Sequence, residues 1–96
     1  MNENTVVHLI KQLDVTDLSG EKVMIDFSTG KYFLLKGAAN EIWDMLTKDG
    51  AEKITVGTIK KNLLEIYDVD EETCLSSITN FLNQMKENQF IEILSE

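Results

Sequence analysis

Residues 23–35 read VMIDFSTGKYFLL and predict a β-hairpin. Apolar side chains occupy every second position from Val23 to Phe27, which is typical of a strand that buries one of its faces. The loop is predicted at residues 28–30, because Gly30 can take the left-handed conformation that a bulged hairpin turn requires. The second strand follows directly, so this stretch specifies an antiparallel pair.

The residues before the hairpin predict a further strand of the same sheet. Ser19 and Gly20 are typical of a chain reversal. Residues 5–10 are rich in the β-branched and aliphatic side chains that favour strands. We therefore predict a three-stranded antiparallel sheet at the N-terminus, with the limits of its first strand left open.

Helical periodicity replaces the strand pattern from Gly37 onward. A first helix is predicted until residues 49–50 stop the pattern, and a loop follows at residues 51–53. Thr55 is a capping residue that can open a second helix, which ends at the turn of residues 68–70. The apolar positions of these helices are Ala38, Ala39, Ile42, Trp43 and Leu46, then Val56, Ile59, Leu63, Ile66 and Tyr67.

A third and longest helix is predicted from about Asp70 to Asn88, because acidic residues at its start favour the positive end of the helix dipole. Its apolar stripe consists of Cys74, Ile78, Phe81 and Met85. Leu75 and Leu82 lie on a flank about a quarter-circle away. Residues 90–94 form a closing strand or extended tail, so the predicted fold class is α+β.

The composition fits one globular domain. With 96 residues, of which 43% are hydrophobic and 27% charged, the chain is predicted to form a single domain over residues 1–96. No apolar run approaches the roughly 20 residues that cross a bilayer, and the N-terminus lacks a signal peptide, so we expect a cytoplasmic protein without a membrane partner. A net charge of -8 repels phosphate backbones, so we expect no nucleic-acid partner.

The residue types that usually carry catalysis are sparse. His8 is the single histidine and lies in a predicted strand, which favours a structural imidazole over a general base. Cys74 is the single cysteine and lies on an apolar stripe, which favours a small core side chain over a nucleophile. The acidic residues at 68–72 lack the glycine and distal glutamate of a calcium loop. We therefore expect no enzyme activity, no metal and no cofactor.

The second hairpin strand has more apolar residues than one face of a small sheet can bury. Its residues are Lys31, Tyr32, Phe33, Leu34 and Leu35. Consecutive large apolar residues point to both faces of a strand, because successive side chains alternate. Either helices cover both faces, or the strand borders an open groove and an unpaired edge. The pattern leaves both alternatives open.

The order and spacing of these motifs resemble the PqqD-like family. The resemblance covers about residues 22–94, and it rests on residues 28–33, the helix starting at Ala38 and residues 67–70 before the long helix. One departure lies before the first helix, where relatives commonly have an asparagine cap. This chain has Lys36 and Gly37 there instead, so either Gly37 or a shift of the backbone must serve in place of the cap.

The resemblance implies a winged-helix-like fold, with a three-stranded antiparallel sheet packed on a three-helix bundle, and the role of a RiPP recognition element. In this family the leader of a ribosomally synthesised peptide adds to the third strand, in a cleft walled by the third helix. The matching positions are Lys31, Tyr32, Phe33, Leu34 and Leu35 on the strand, and Leu75, Thr79, Leu82 and Lys86 on the helix. The side chains expected to form pockets are Tyr32, Leu34, Leu75 and Leu82.

The implied function is to deliver a leader peptide to a leader protease, cyclase or radical enzyme, in a lasso-peptide or related pathway. The alternative is a winged-helix DNA-binding regulator, since that fold is shared. Charge disfavours it, because the third helix begins with acidic residues and carries only Lys86 as a base. The chain is expected to be a monomer or a homodimer paired through its sheet edge.

Overall fold

A computed structural model describes residues 1–11, 13–47 and 53–95 of the chain. In chain order the strands and helices among these residues are β1 (Val6–Leu9), β2 (Asp14–Leu18), β3 (Glu21–Asp26), β4 (Lys31–Lys36), α1 (Ala38–Thr47), β5 (Ile54–Thr55), α2 (Val56–Ile66), α3 (Glu71–Glu87) and β6 (Ile91–Ser95). The strands form two sheets, in the orders β2-β3-β4 and β5-β1-β6. The predicted α+β class, with an antiparallel three-stranded sheet and three helices, is confirmed for this part of the chain.

The predicted hairpin consists of β3 and β4, which pair antiparallel. Gly30 has a φ of 75°, the left-handed conformation expected of it. The carbonyl oxygen of Asp26 accepts hydrogen bonds from the backbone N–H groups of Thr29, at 3.2 Å, and Gly30, at 2.8 Å. These bonds start the turn directly after Asp26, so the loop spans residues 27–30. The prediction that Phe27 belongs to the strand is wrong by this one residue.

The first strand of the same sheet is β2, which reaches β3 through the predicted turn at Ser19 and Gly20. Residues 5–10 carry the clearer strand pattern, but they supply β1 of the other sheet, where β1 pairs antiparallel with β5 and β6. Every residue of β2 is exposed, so no apolar alternation marks this strand in the sequence. Val7 of β1, by contrast, is fully buried.

One face of the β2-β3-β4 sheet packs on the helices, and it is not the predicted one. The inner face carries Lys22, Met24, Asp26, Phe33 and Leu35. The outer face carries Thr16, Leu18, Val23, Ile25, Tyr32 and Leu34. The prediction that the alternation from Val23 to Phe27 marks the buried face is wrong, since Met24 is fully buried whereas Phe27 is 74% exposed. The reason is that the side chains of Lys22 and Asp26 find hydrogen-bonding partners of the right type, while β4 supplies apolar contacts beside Met24.

Local capping groups start two of the helices as the sequence predicts. The hydroxyl oxygen of Thr55 accepts a hydrogen bond from the Thr58 N–H at 3.1 Å and caps α2. A carboxylate oxygen of Asp70 accepts one from the Thr73 N–H at 2.6 Å and caps α3. Gly37, with a φ of 56°, directly precedes α1, and its carbonyl oxygen accepts a hydrogen bond from the Glu41 N–H at 3.2 Å.

The core lies between the inner face, the helices and the second sheet. The predicted stripe of α3 is confirmed, and its buried side chains are Cys74, Ile78, Phe81, Leu82 and Met85. The apolar side chains that α1 and α2 bury are Ile42, Trp43, Leu46, Val56, Ile59 and Leu63. None of the described helices is long and apolar enough to cross a membrane. The predicted stop of the first helix at residues 49–50 and the start of the following loop lie outside the described residues.

Candidate functional site

Strand β4 forms one edge of the β2-β3-β4 sheet. It pairs with β3 on one side, and within the described residues no strand lies along its other side. Alternate backbone N–H and C=O groups of an edge strand point away from the sheet, where a further strand can pair with them. The alternative in which helices cover both faces of this strand is wrong, because Tyr32 on the outer face is 76% exposed.

The two faces of β4 have different surroundings. Leu35 is buried in the core, and Phe33 is half-buried beside it on the inner face. Tyr32 and Leu34 point the opposite way, to the outer face, because successive side chains alternate across a strand. The strand therefore joins the core through its inner face and leaves two large side chains open to solvent.

An aromatic contact links β4 to the end of α3. The rings of Phe33 and Phe90 meet edge to face, with centroids 5.2 Å apart and planes at 86°. The Phe90 N–H donates a hydrogen bond at 2.9 Å to the carbonyl of Met85, in the last turn of α3. The ammonium of Lys11 lies 5.9 Å from the centroid of the Phe90 ring. Phe90 therefore contacts β4 through Phe33 and the last turn of α3 through its backbone N–H.

The four predicted site residues on α3 differ in exposure. Leu75 and Thr79 are half-buried and Lys86 is exposed, whereas Leu82 is fully buried. Leu82 is a core residue because α3 packs against α1, α2 and β6, which widens its buried face beyond the predicted stripe. The expected pockets that combine Tyr32 and Leu34 with Leu82 do not form, since the two strand side chains lie on the face away from the helices.

An ion-pair cluster around the buried Lys22, which the sequence did not reveal, links the hairpin to its neighbours. The ammonium of Lys22 contacts carboxylate oxygens of Asp44, at 2.8 Å, and Asp17, at 3.0 Å. It also donates a hydrogen bond to the amide oxygen of Asn40 at 2.6 Å. Burial acts to lower the pKa of Lys22, but the hydrogen bonds and charges of Asp44 and Asp17 outweigh it and raise the pKa above 10.5. The cluster ties β3 to α1 and β2.

A second cluster holds the hairpin loop. Both carboxylate oxygens of Asp26 lie 2.9 Å from the Lys11 ammonium. The Ser28 hydroxyl donates a hydrogen bond to Asp26 at 2.7 Å. The Ser28 hydroxyl and then the Lys11 ammonium lower the pKa of Asp26 from 3.8 to about 2. Sequence reasoning missed this cluster because Lys11 lies 15 positions away from Asp26.

The residues considered as catalytic or metal-binding candidates, His8 and Cys74 among them, occupy structural positions. His8 and Glu92 face each other across the β1-β6 pair, with Nδ1 and Oε1 3.0 Å apart. Cys74 is buried, and burial raises the pKa of its thiol, which disfavours the reactive thiolate. Within the residues that the structure describes, no three His, Cys, Asp or Glu side chains come together as metal ligands.

The sequence of residues 21–91 matches the family model described as coenzyme PQQ synthesis protein D, PqqD. The chain belongs to the PqqD family. The resemblance predicted from the hairpin and the long third helix is therefore confirmed. All of β3, β4 and α1–α3, which build the candidate site, lie within the matched region.

One solved structure shares the fold of this PqqD-family chain. It is described as TbiB1 in complex with the TbiA(beta) leader peptide, and the two chains superpose with a TM-score of 0.75 at 21% sequence identity. The superposition covers 88% of this chain and 94% of TbiB1, so the likeness extends over most of the fold. No curated protein matches the sequence.

Proposed function

We propose that this chain binds the leader segment of a ribosomally synthesised precursor peptide, which adds as a strand to the free edge of β4. The observation that carries the proposal is the unpaired edge of β4 in the described part of the chain. Membership of the PqqD family supports it, as does a fold shared with TbiB1, which was solved with a leader peptide. Strand addition is a common way to bind an extended peptide.

We propose that side chains of β4 and α3 provide the apolar contacts for an extended leader peptide. Phe33 on the inner face and Leu75 on α3 are both half-buried, so each keeps part of its apolar surface for a ligand. Thr79 and Lys86 add polar groups on the same helix. We propose that Leu82 acts indirectly, by supporting the packing of α3, since it is fully buried.

Backbone and side-chain contacts have different roles in this mode of binding. Each backbone hydrogen bond contributes about 1 kcal/mol net, because it replaces a hydrogen bond to water. An apolar side chain contributes about 1.5–3 kcal/mol when it becomes fully buried. The strand pairing therefore accepts many sequences, whereas a few apolar leader residues determine which leader binds well.

Calorimetry with synthetic leader peptides encoded beside this gene tests the proposal. Methylating alternate backbone nitrogens of the leader removes hydrogen-bond donors and leaves the side chains unchanged. We expect methylation in one phase of the strand to weaken binding at least tenfold and methylation in the other phase to have little effect. If neither phase changes the affinity, or if no leader binds, the strand-addition proposal is wrong.

Substitutions in this chain test the proposed side-chain contacts separately from the backbone pairing. Phe33→Ala and Leu75→Asp are expected to weaken leader binding about tenfold or more, because both remove apolar surface that is proposed to contact the leader. Ile66→Asp is the matched control, since Ile66 is exposed at the end of α2 and belongs to neither β4 nor α3. A substitution at Leu82 is not informative, because a charge there disrupts the core.

We infer that the chain has a delivery role and no catalytic one, in a lasso-peptide or related pathway. His8 and Cys74 occupy structural positions, which supports a role without chemistry of its own. The test is reconstitution, in which the protease, cyclase or radical enzyme encoded nearby processes its precursor with and without this chain. Processing at the same rate without the chain would contradict the inference.

The DNA-binding alternative gains little from the structure. α3 is capped by Asp70, carries Glu71 and Glu72 in its first turn and has Lys86 as its basic residue in the last turn. A helix that enters the major groove normally brings several basic residues to the phosphates. Retention on DNA that salt reverses would restore this alternative.

A further inference from the structure

The two elements proposed to bind the leader carry positive charge, although the whole chain has a net charge of -8. We call β4 and residues 73–86 of α3 the leader groove. It contains three lysines, Lys31, Lys36 and Lys86, and no acidic residue. The next acidic residue on α3 is Glu87, which lies about 100° further around the helix than Lys86. The leader groove is therefore a cationic region of an anionic protein.

The ammonium groups of these lysines are available to a ligand. All three side chains are exposed, and none of them forms an ion pair within the described residues. The lysines that do form ion pairs there are Lys11, Lys22 and Lys60. The contacts between acidic residues and lysines thus neutralise other positions, and the groove keeps its charge.

Lys31 is better placed than Lys36 to attract an acidic side chain. Asp26 lies opposite Lys31 on β3, but both of its carboxylate oxygens contact the ammonium of Lys11. Glu21 lies opposite Lys36, and its carboxylate offsets part of the positive charge at that end of β4. The stronger local attraction is consequently at the start of β4.

Lys86 lies at the same end of the groove as Lys31. The Phe90 N–H bonds to the carbonyl of Met85, next to Lys86, and the Phe90 ring contacts that of Phe33. Lys31 is two positions before Phe33 and therefore shares its face of the sheet. A leader residue paired opposite Lys31 is thus placed at the end of the groove that carries both lysines.

We propose that Lys31 and Lys86 select leaders that carry an acidic side chain opposite Lys31, an inference that rests on the proposed strand addition. Cross-strand partners share a face, and side chains alternate along a strand. The acidic residue therefore lies two positions from the apolar residue that contacts Phe33. The leader class is an extended segment with this spacing of one Asp or Glu and one apolar residue. Lys36 makes a weaker second contact on the other face.

The negative charge of the rest of the chain does not prevent this selection. At physiological ionic strength, exposed charges more than about 8 Å apart are largely screened, so the nearest lysines determine the local attraction. An opposite-charge pair between neighbouring strands strengthens the pairing by up to about fivefold. A lysine or arginine at the same leader position is repelled, so charge acts both for one class of leader and against another.

The test combines substitutions in both molecules, measured by calorimetry at one salt concentration. The ligand is the synthetic leader encoded beside this gene, and each of its Asp and Glu residues is replaced in turn by Asn or Gln. In the chain, Lys31→Gln and Lys86→Gln are made singly and together. Lys61→Gln is the matched control, because Lys61 is exposed on α2, outside the groove. Circular dichroism checks the fold of every variant.

We expect each single groove substitution to weaken binding of the encoded leader about threefold to fivefold, and the double substitution about tenfold. One leader position should cause a similar loss when it is neutralised. With that neutralised leader, the double substitution should change the affinity by less than about twofold, because the charge it acts on is gone. Lys61→Gln should change neither affinity.

A double variant that binds the encoded leader within twofold of the unmodified chain would overturn the proposal. So would an equal loss for the encoded and the neutralised leader, since the lysines would then act through their apolar stems or the fold and not through charge. An encoded leader without Asp or Glu would overturn it as well. In these three cases the unmodified chain still binds a leader, whereas failure of the proposed function means that it binds none, so the two failures are distinguishable.

Discussion

Asp26 shows how a single side chain stabilises the hairpin that carries the candidate site. Its carboxylate is almost completely buried, yet it receives hydrogen bonds from Ser28 and Lys11. A buried carboxylate without such partners would be costly, whereas one with charge-assisted bonds is held in its ionised form. The consequence is that the hairpin depends on the charge state of one residue.

The pKa of Asp26 predicts a pH dependence of stability. Because folding lowers this pKa from 3.8 to about 2, the ionised form stabilises the folded state, fully above pH 3.8 and less as the pH falls toward 2. Asp26→Asn removes the titration. We expect the difference in unfolding free energy between the chain and this variant to shrink as the pH falls from 5 to 2, measured by urea denaturation.

The control for this prediction is Asp14→Asn, because Asp14 is exposed on the edge strand β2. The difference in unfolding free energy between Asp14→Asn and the unmodified chain should change little over the same pH range. A difference for Asp26→Asn that is constant from pH 5 to pH 2 would show that the Lys11 and Ser28 contacts do not act as described.

Ile78 is a second residue whose effect follows from its surroundings. It is fully buried at the centre of the α3 stripe. Ile78→Ala should lower the unfolding free energy by about 2–5 kcal/mol, because a buried methyl and ethyl group are lost and a cavity remains. Ile66→Ala, at an exposed position, should cost much less. Equal costs in chemical denaturation would place Ile78 outside the core.

At the scale of whole elements, helix starts are determined by neighbouring residues, whereas strand pairing is determined by residues far along the chain. The start of α2 is fixed locally by Thr55 and that of α3 by Asp70. The strands are fixed by partners far along the chain, such as Val7 opposite Ile93 in the β1-β6 pair. The helix starts are consequently a local property of the sequence, and the sheets are not.

The Thr55 cap gives a prediction for α2. Thr55→Ala removes the oxygen that accepts the Thr58 N–H, and it should lower the unfolding free energy by about 1 kcal/mol. Thr55→Ser keeps that oxygen and should recover most of the loss in thermal or urea unfolding. A serine variant as unstable as the alanine variant would mean that the role of Thr55 in β5, and not the cap, determines the effect.

The difference between local and long-range determinants explains which parts of the fold could be predicted from the sequence. The turn at Gly30, the cap at Thr55 and the stripe around Ile78 depend on neighbouring residues, and all three predictions are confirmed. The second sheet could not be predicted, because β1 pairs with β5 and β6, which lie far from it along the chain. The buried face of β3 was predicted wrongly, because the partners that make Lys22 tolerable appear only in the folded structure.

The candidate site was also predictable only in part. Alternation along residues 31–35 indicates a strand with large side chains on both faces, and the edge position of that strand is observed. The sequence did not separate the two roles of those side chains, because this requires knowing which face meets the helices. It also placed Leu82 on a flank outside the buried stripe, since helical periodicity alone does not show how wide the buried side of α3 is.

At the scale of the whole molecule, charge should determine how copies of the chain behave toward each other. Two edge strands, β2 and β4, are open to pairing in the described part of the main sheet. The net charge of -8 opposes such pairing, and the opposition is strongest when little salt is present. The chain is therefore expected to stay separate from its copies while its edge remains open to a peptide.

Light scattering measures whether copies of the chain associate, because it gives the mass of the particle in solution. We expect a monomer of 10.9 kDa at low ionic strength, with or without a leader peptide. A particle of twice that mass, which a saturating leader peptide converts to the monomer, would instead show that copies pair through β4. Dimerisation that the leader leaves unchanged would point to a different contact surface.

The buried ammonium of Lys22 allows chemical labelling to detect opening of the hairpin. An amine that is protonated, hydrogen-bonded to Asn40 and shut off from solvent reacts with an acylating reagent only when the hairpin detaches from α1. Lys31 at the start of β4 is exposed and should react at once. A brief labelling pulse read by mass spectrometry thus distinguishes two events in one sample: protection at Lys31 follows occupancy of the edge, and modification at Lys22 follows opening of the fold.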